Sequence, residues 1–276
     1  MKLGIAVLAW RRPDYLYITL DGLFRAMYVN DCVVNVYFDG SDQEYPFTNE
    51  LRKEQSETVG NFPVHRVVYQ KERKGILGQF LYCLEDTFAC GCDHVLLLFD
   101  DVLIRTDALK YLHDIRLAEK NAFFYSLQRF TNLNERPGYT VGYDSIGVMI
   151  GIDSFKLLAS WLKAYSYLGL TYPSLEKPIY DCDWIRYRAH DSVLSSLAIK
   201  HELVRLVPDK TYCAHFGVCA CREKLHGLAP EVGECEERIL SGGRETWLNN
   251  VATIFRDKAY SDVLKTRLFP SDFEYF

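Results

Sequence analysis

The chain has no hydrophobic run long enough to cross a bilayer. Its N-terminal apolar stretch ends at Trp10, ahead of Arg11-Arg12-Pro13, whereas a membrane-spanning helix needs about 20 apolar residues. That stretch also lacks a signal-peptide cleavage site, so no secretory leader is expected there. An excess of positive charge is missing too: 32 Lys and Arg stand against 37 Asp and Glu, a formal net charge of −5. No global field therefore draws the protein to nucleic acid, although a local basic patch is compatible with that sum. The nine cysteines are odd in number and fall into no evenly spaced framework, so reduced thiols in a reducing compartment are expected. Cys90/Cys92 and Cys219/Cys221 lie near His94 and His215, but C-x-C is tighter than the usual C-x2–4-C of structural zinc, which makes buried thiols the expected state. Internal repeats and low-complexity segments are absent, which excludes solenoids and disordered tracts.

What is present suits a packed enzyme-sized fold. The 276 residues are 49% hydrophobic, enough for one large core, or one domain with a smaller appendage. The 19 Tyr, 16 Phe and 4 Trp exceed what the core alone calls for, and the surplus suits stacking on sugars or bases.

Along the chain, buried strands alternate with amphipathic helices. Leu3 to Ala9 reads as a strand, and Pro13 opens a helix with Leu16, Leu20, Leu23, Phe24 and Met27 at helical spacing. Val33 to Phe38 is a second strand ending in Asp39-Gly40-Ser41-Asp42, and Val64 to Tyr69 a third. The charged loop Lys71 to Gly75 leads to a helix bearing Leu77, Phe80, Leu81, Leu84 and Phe88. A fourth strand follows, and a helix capped near Thr106-Asp107 comes after it. Ala122 to Leu127, Gly147 to Ile152, Leu203 to Val207 and Tyr212 to Val218 are further strand candidates. Phe130 to Asp144 reads as a loop, Tyr167 to Asp181 as irregular, and helices are expected from Asp153 or Ser154 through Tyr165 and from Trp184 to Lys200. The pattern is doubly wound α/β with a mostly parallel central sheet between two helical layers.

The fourth strand carries the strongest chemical signal. Val95 to Phe99 is apolar throughout, then Asp100 and Asp101 stand side by side before another apolar run, Val102 to Ile104. Burying unpaired carboxylates is costly, and two together repel. Such a pair at the mouth of a buried strand points to a divalent cation or a cationic partner, at the strand ends where open α/β sheets bind ligands. The plainer reading is a strand-end turn that caps a helix or pairs with Arg105. Asp39 at the end of the second strand is either a turn aspartate or a base- or ribose-reading group. Arg12 stands at a helix start, where a cation is slightly unfavourable, and so suits an anionic ligand.

Several motifs together resemble glycosyltransferases of the GT-A fold, in particular the inverting group that contains N-acetylglucosaminyltransferase I and its O-mannose-linked relative. They are Trp10-Arg11-Arg12 followed by Leu20-Asp21-Gly22-Leu23, then Leu77-Gly78-Gln79, then Asp100-Asp101 followed by Asp107, then Asp183-Trp184-Ile185-Arg186, and finally His215-Phe216-Gly217. In this chain Phe99 stands where the group has Glu before its Asp pair, and Glu72 where it tends to have His. Cys182 takes the place of the group's base Asp, flanked by Asp181 and Asp183.

The resemblance implies a three-layer α/β/α GT-A domain over residues 1–217, with a nucleotide-sugar-binding half (1–107) and an acceptor-side half (108–217). A helical extension (218–276) would pack on it. It implies a metal-dependent, inverting transfer from a nucleotide-diphospho-sugar, a UDP-sugar above all, to an acceptor hydroxyl. Asp101 would bind Mn2+ or Mg2+, with His215 as a further ligand and Asp100 on the ribose or a metal-bound water. Arg11, Arg12, Asp39, Lys74, Gly75 and Gly78 would approach the nucleotide. Asp183 would be the base, with Asp181 and Asp191 as alternatives. The acceptor is left open among glycan, protein, lipid and modified nucleic-acid base. Golgi members of the group carry a membrane anchor and this chain shows no span, which implies a soluble bacterial or viral enzyme in the cytoplasm. Two rivals stand beside this reading. A sugar-nucleotide nucleotidyltransferase would need a glycine-rich loop after the first strand, where Trp10-Arg11-Arg12-Pro13 has none. A catalytically inactive GT-A-like module would bind only glycan or protein.

Overall fold

A computed structural model describes residues 2–40, 47–119, 121–129, 136–144, 146–167 and 190–215, with the backbone alone for Asp14 and for residues 162–167, 190–192, 196 and 214–215. Strands β1 (Leu3–Ala9), β2 (Cys32–Phe38), β3 (Arg66–Tyr69) and β4 (His94–Phe99) are joined through helices α1 (Pro13–Phe24), α2 (Asn49–Gly60) and α3 (Gly75–Ala89). Strand β5 (Val102–Ile104), helix α4 (Ala108–Ala118), strands β6 (Phe124–Ser126), β7 (Gly138–Val141) and β8 (Val148–Gly151), helices α5 (Ile152–Tyr167) and α6 (His190–Lys200), and strands β9 (Val204–Val207) and β10 (Cys213–His215) follow. The main sheet has the order β3-β2-β1-β4-β8-β6-β9-β7. Pairings β1–β2, β1–β4, β2–β3 and β6–β9 are parallel, and only β8 and β7 run against the rest.

Period-two alternation along the strands splits the core between the two faces of the sheet. Leu3, Ile5 and Val7 of β1 and Leu96 and Leu98 of β4 pack with Leu16, Leu20 and Leu23 of α1, Val59 of α2 and Leu109 and Leu112 of α4. Ala6, Leu8, Val95 and Leu97 face the other way, against Leu77, Phe80 and Leu84 of α3, Leu158 of α5 and Leu194 and Leu197 of α6. At Gly4 a Cβ would stand 2.5 Å from Thr87 Cγ2, so glycine there lets α3 lie close on β1. Between these layers Tyr37 Oη bonds Asp86 Oδ2 at 2.9 Å and Thr87 Oγ1 at 2.8 Å, and Asn35 Nδ2 donates to it at 3.1 Å. A hydroxyl that is fully buried is thereby satisfied.

Some elements differ from expectation. Helix α1 ends at Phe24 rather than running through Met27, which is 45% exposed. Tyr28 then takes a left-handed φ of 71°, which no helix continues through. The segment expected as a loop, Phe130 to Asp144, contains β7, which pairs antiparallel with β9 at the sheet edge. Val102 to Ile104 leaves the main sheet and forms a two-stranded ribbon with β10. Asp107 occupies the N-cap of α4, but its carboxylate bonds Arg105 and Lys210 instead of capping the helix. The parts of the expected irregular stretch and helix between 168 and 189, and the extension 218–276, lie outside the described residues. Among the described residues no helix is long and apolar enough to cross a membrane, and Cys32, Cys83, Cys90, Cys92 and Cys213 are free thiols.

His94 opens β4 with its ring against Tyr125 and Gly151. Burial, and secondarily the charge of Arg116, hold its pKa below the ordinary histidine value. An imidazole that resists protonation only when folded contributes stability above about pH 6.5, and that contribution is lost as pH falls from there toward its lower folded-state pKa. Urea unfolding at pH 7.5 and 5.5 should therefore show a loss of stability on acidification that is smaller in His94→Gln. Equal pH dependence in the two proteins would contradict this assignment.

Candidate functional site

Three strands end together. The register pairs Ala9 with Phe38 and Leu8 with Phe99, and the ladder continues one step further: Asp39 N donates to Ala9 O at 3.1 Å and Asp100 N to Leu8 O at 2.9 Å. Trp10 to Arg12, Asp39-Gly40 and Asp100-Asp101 therefore leave the sheet side by side at its carboxyl edge, the position where α/β sheets bind ligands.

Arg12 lies across both carboxylates. Its Nη2 donates to Asp100 Oδ1 and stands 2.9 Å from Asp101 Oδ2. The Arg12 side chain is 22% exposed, those of Asp100 and Asp101 3% and 8%, so the acids are nearly dry while their cation reaches solvent. Trp10 N donates to Asp100 Oδ2 at 3.3 Å, and Thr19 Oγ1 of α1 to the Asp100 carbonyl at 2.8 Å. The cationic partner of the pair is thus Arg12; Arg105, the partner expected on the plainer reading, bonds Asp107 instead. Burial pushes the Asp100 carboxyl above the usual carboxylate range and Asp101 adds to this, with Arg12 offsetting only part. Burial opposes the charge on Arg12, but the two acids outweigh it and raise its pKa. Burial is thus what holds Asp100 up, and two anions facing one cation are what hold Arg12 up; with both acids ionised the trio is negative.

The second strand end acts on the loop before α3. Asp39, buried, accepts from Gly40 N at 2.8 Å and from Lys74 N at 2.7 Å. A Cβ on Gly40 would fall 2.1 Å from the Glu72 carbonyl carbon, so the strand end and the loop backbone meet only because residue 40 is glycine. The tie places Lys74, the N-cap of α3, and Gly75, its first residue, beside the strand ends, with Gly78 one turn on, where a Cβ would stand 3.2 Å from Lys74 Cβ. The Lys74 ammonium lies 5.4 Å from the Tyr82 ring.

Next to the acids, guanidinium groups alternate with aromatic rings. Arg73 lies 4.8 Å from the Trp10 ring, Arg11 5.9 Å from Trp10 and 5.6 Å from Phe47, and Arg52 4.3 Å from Phe47 and 4.9 Å from Tyr69. Gln55 Nε2 holds the Trp10 carbonyl. Arg52 also donates to Gln55 Oε1 at 3.2 Å and to the Gln70 carbonyl at 3.5 Å, and together the cations and rings make this edge positive and flat-walled. Thr19, Gln55 and Arg73 were not singled out from the sequence. Thr19 and Gln55 lie among other polar residues of their helices, and only their burial beside strand ends reveals a role.

Of the other expected residues, His215 closes β10 and pairs by register with Val102, the residue after Asp101. Asp191 lies in the first turn of α6. Asp181 and Asp183 lie outside the described residues. Adjacent carboxylates are hard oxygen donors, and Mg2+ or Mn2+ is ordinarily held by one or two of them with phosphate and water completing the shell. By that chemistry Asp100 and Asp101 fit such an ion. Among the described residues no group of three or more His, Cys, Asp or Glu clusters as a metal site.

No family model matches the chain, and no curated protein matches it. Solved structures do. Residues 1–349 of TarS from S. aureus match with a TM-score of 0.50 at 13% identity, over 98% of this chain and 82% of that one. The mannosyltransferase PcManGT from Pyrobaculum calidifontis, solved with GDP-Man and Mn2+, matches at 0.49 and 14% identity, over 96% of this chain and 75% of that one. A cytidylyltransferase from Leptospira borgpetersenii matches at 0.46 and 11% identity, over 88% and 96%. At these identities the likeness is one of fold. On the TarS match, the chain has a GT-A-like α/β fold, a mostly parallel mixed sheet flanked by helices.

The tie from Asp39 to Lys74 can be read directly. Asp39→Ala removes the acceptor of two backbone N–H groups, which should cost about 1–3 kcal/mol in urea unfolding and speed hydrogen exchange at the Lys74 amide. An unchanged exchange rate at Lys74 would show that the loop is held by something else.

Proposed function

We propose that the chain is a metal-dependent, inverting glycosyltransferase that moves a sugar from a UDP-sugar to an acceptor hydroxyl. The observation that supports this most is the buried carboxylate pair Asp100-Asp101 at the shared carboxyl edge of β1, β2 and β4, in a sheet of the GT-A-like kind. The narrower kinship with N-acetylglucosaminyltransferase I rests on the motifs from Trp10-Arg11-Arg12 to His215-Phe216-Gly217. In this reading residues 1–217 form the catalytic domain, divided near 107 into donor and acceptor sides, with 218–276 as an extension packed on it.

Asp101 and His215 are the proposed ligands of Mn2+ or Mg2+, with Asp100 beside them. When bound, the ion supplies charge neutralisation to the diphosphate as it leaves. Arg11, Arg12 and Lys74 supply further positive charge to the same oxygens, and Gly75 and Gly78 let the start of α3 approach the nucleotide. Asp39 orients that loop through Lys74 N and lies within the ribose side of the site. Inversion requires one base, which accepts the proton of the acceptor hydroxyl as its oxygen attacks the anomeric carbon and the bond to the diphosphate breaks. Asp183 is proposed for that role, with Asp181 and Asp191 as its alternates. The acceptor is drawn from glycans, proteins, lipids and modified bases, and a cytoplasmic site of action is proposed with it.

Calorimetry with UDP is the direct check. Wild type should bind UDP at least about tenfold more tightly with Mn2+ than without, and Asp101→Asn should lose that gain, as loss of a metal's carboxylate support commonly costs 10- to 100-fold. UDP binding that ignores Mn2+, or no binding in either condition, would overturn the reading.

A further inference from the structure

We propose that Arg12 couples the divalent cation to the sugar-nucleotide diphosphate: it holds the cation's place on Asp101 in their absence and passes to the diphosphate when both bind. The inference rests on the glycosyltransferase reading of this site and adds to it a coupling between its two ligands.

Three observations carry the inference. Arg12 Nη2 stands 2.9 Å from Asp101 Oδ2 while also bonding Asp100, so a metal ion that takes this oxygen must displace the guanidinium from it. The acids are almost wholly buried, and a buried pair of carboxylates without a cation is strongly disfavoured. Some cation must therefore be present at all times, and in the ligand-free chain it is Arg12. Finally, the backbone of Arg12 is fixed. Pro13 stands at the first position of α1, and Leu16 N bonds Arg12 O at 3.0 Å. The exchange needs only side-chain torsions, and the guanidinium, packed over the Tyr15 ring at 4.9 Å, is open to solvent over 22% of its side chain.

Charge then couples the two ligands. One cation between two anions leaves the trio negative by one charge. A divalent ion added alone makes it positive, at the positive end of α1 and beside Arg11 and Arg73, where a freed guanidinium has no anion to meet. A diphosphate added alone meets an Arg12 already engaged and two acids that repel it. Together the ion takes Asp101 and the diphosphate takes Arg12. Each ligand should strengthen the other by the same factor, as linkage requires, and Arg12 is the residue through which they do so.

Electron paramagnetic resonance of free Mn2+ measures this without turnover, on the full chain with and without UDP. In wild type UDP should tighten Mn2+ binding by about tenfold or more. In Arg12→Gln, Mn2+ alone should bind about tenfold more tightly than in wild type, and UDP should tighten it further by only about threefold or less. Arg12→Lys keeps a charge but not the fork that reaches both acids, so its values should fall between the two, and it carries the test if Arg12→Gln does not fold by near-ultraviolet circular dichroism. Mn2+ alone binding a folded variant no more tightly than wild type overturns the proposal. Absence of any Mn2+-linked UDP binding in wild type instead overturns the glycosyltransferase reading, and the comparison of Mn2+ alone still decides the place of Arg12.

Discussion

A single guanidinium shared by two buried carboxylates is the constraint around which the site is arranged. Strand β4 is apolar and buried, so the residues that end it are carried into a nearly dry setting. Asp100 and Asp101 persist there because α1 starts where β1 ends and delivers Arg12 to them. Removing one partner from such a group costs about 3–5 kcal/mol, since it leaves charge buried and unpaired. The same arrangement explains why a cation is tolerated at the N-terminal end of α1, where the helix dipole disfavours it: two anions outweigh the dipole.

Around this trio the supports are short and come from rigid elements. Thr19 reaches the Asp100 carbonyl from α1, Gln55 reaches the Trp10 carbonyl from α2, and Asp39 at the end of β2 fixes the backbone of Lys74 at the start of α3. All three loops at the carboxyl edge are thus tied to one another or to a helix. A site of that kind has its backbone fixed before any ligand arrives, which lowers the ordering cost of binding. The alternation of Arg11, Arg52 and Arg73 with Trp10, Phe47 and Tyr69 extends the same principle outward: the rings limit the freedom of the cations, and Gln55 and the Gln70 carbonyl hold Arg52 further.

Much of this was legible from residue order. The alternation of Leu3, Ile5 and Val7 against Ala6 and Leu8, and the continuous run Val95 to Phe99, require a sheet covered on both faces, and the acids after Phe99 mark the edge that matters. What residue order did not show is long-range pairing. Arg12 and Asp100 are far apart in sequence, so nothing local chose Arg12 over Arg105 as the partner; parallel β1–β4 pairing did. Phe130 to Asp144 reads as a loop because it is polar and carries Pro137-Gly138, and β7 within it, with Tyr139 and Val141 exposed, becomes a strand through its pairing with β9. Asp107 looked like a helix cap, and Lys210, distant in sequence, drew its carboxylate away.

Donor hydrolysis across a panel of UDP- and GDP-sugars tests the central claim most directly, because it reads the leaving of the diphosphate and needs no acceptor. The account predicts release of UDP from at least one UDP-sugar by the wild-type chain with Mn2+ or Mg2+, and little release once the ion is chelated. Release from no nucleotide-sugar with any divalent ion, by a chain that is folded, would contradict it.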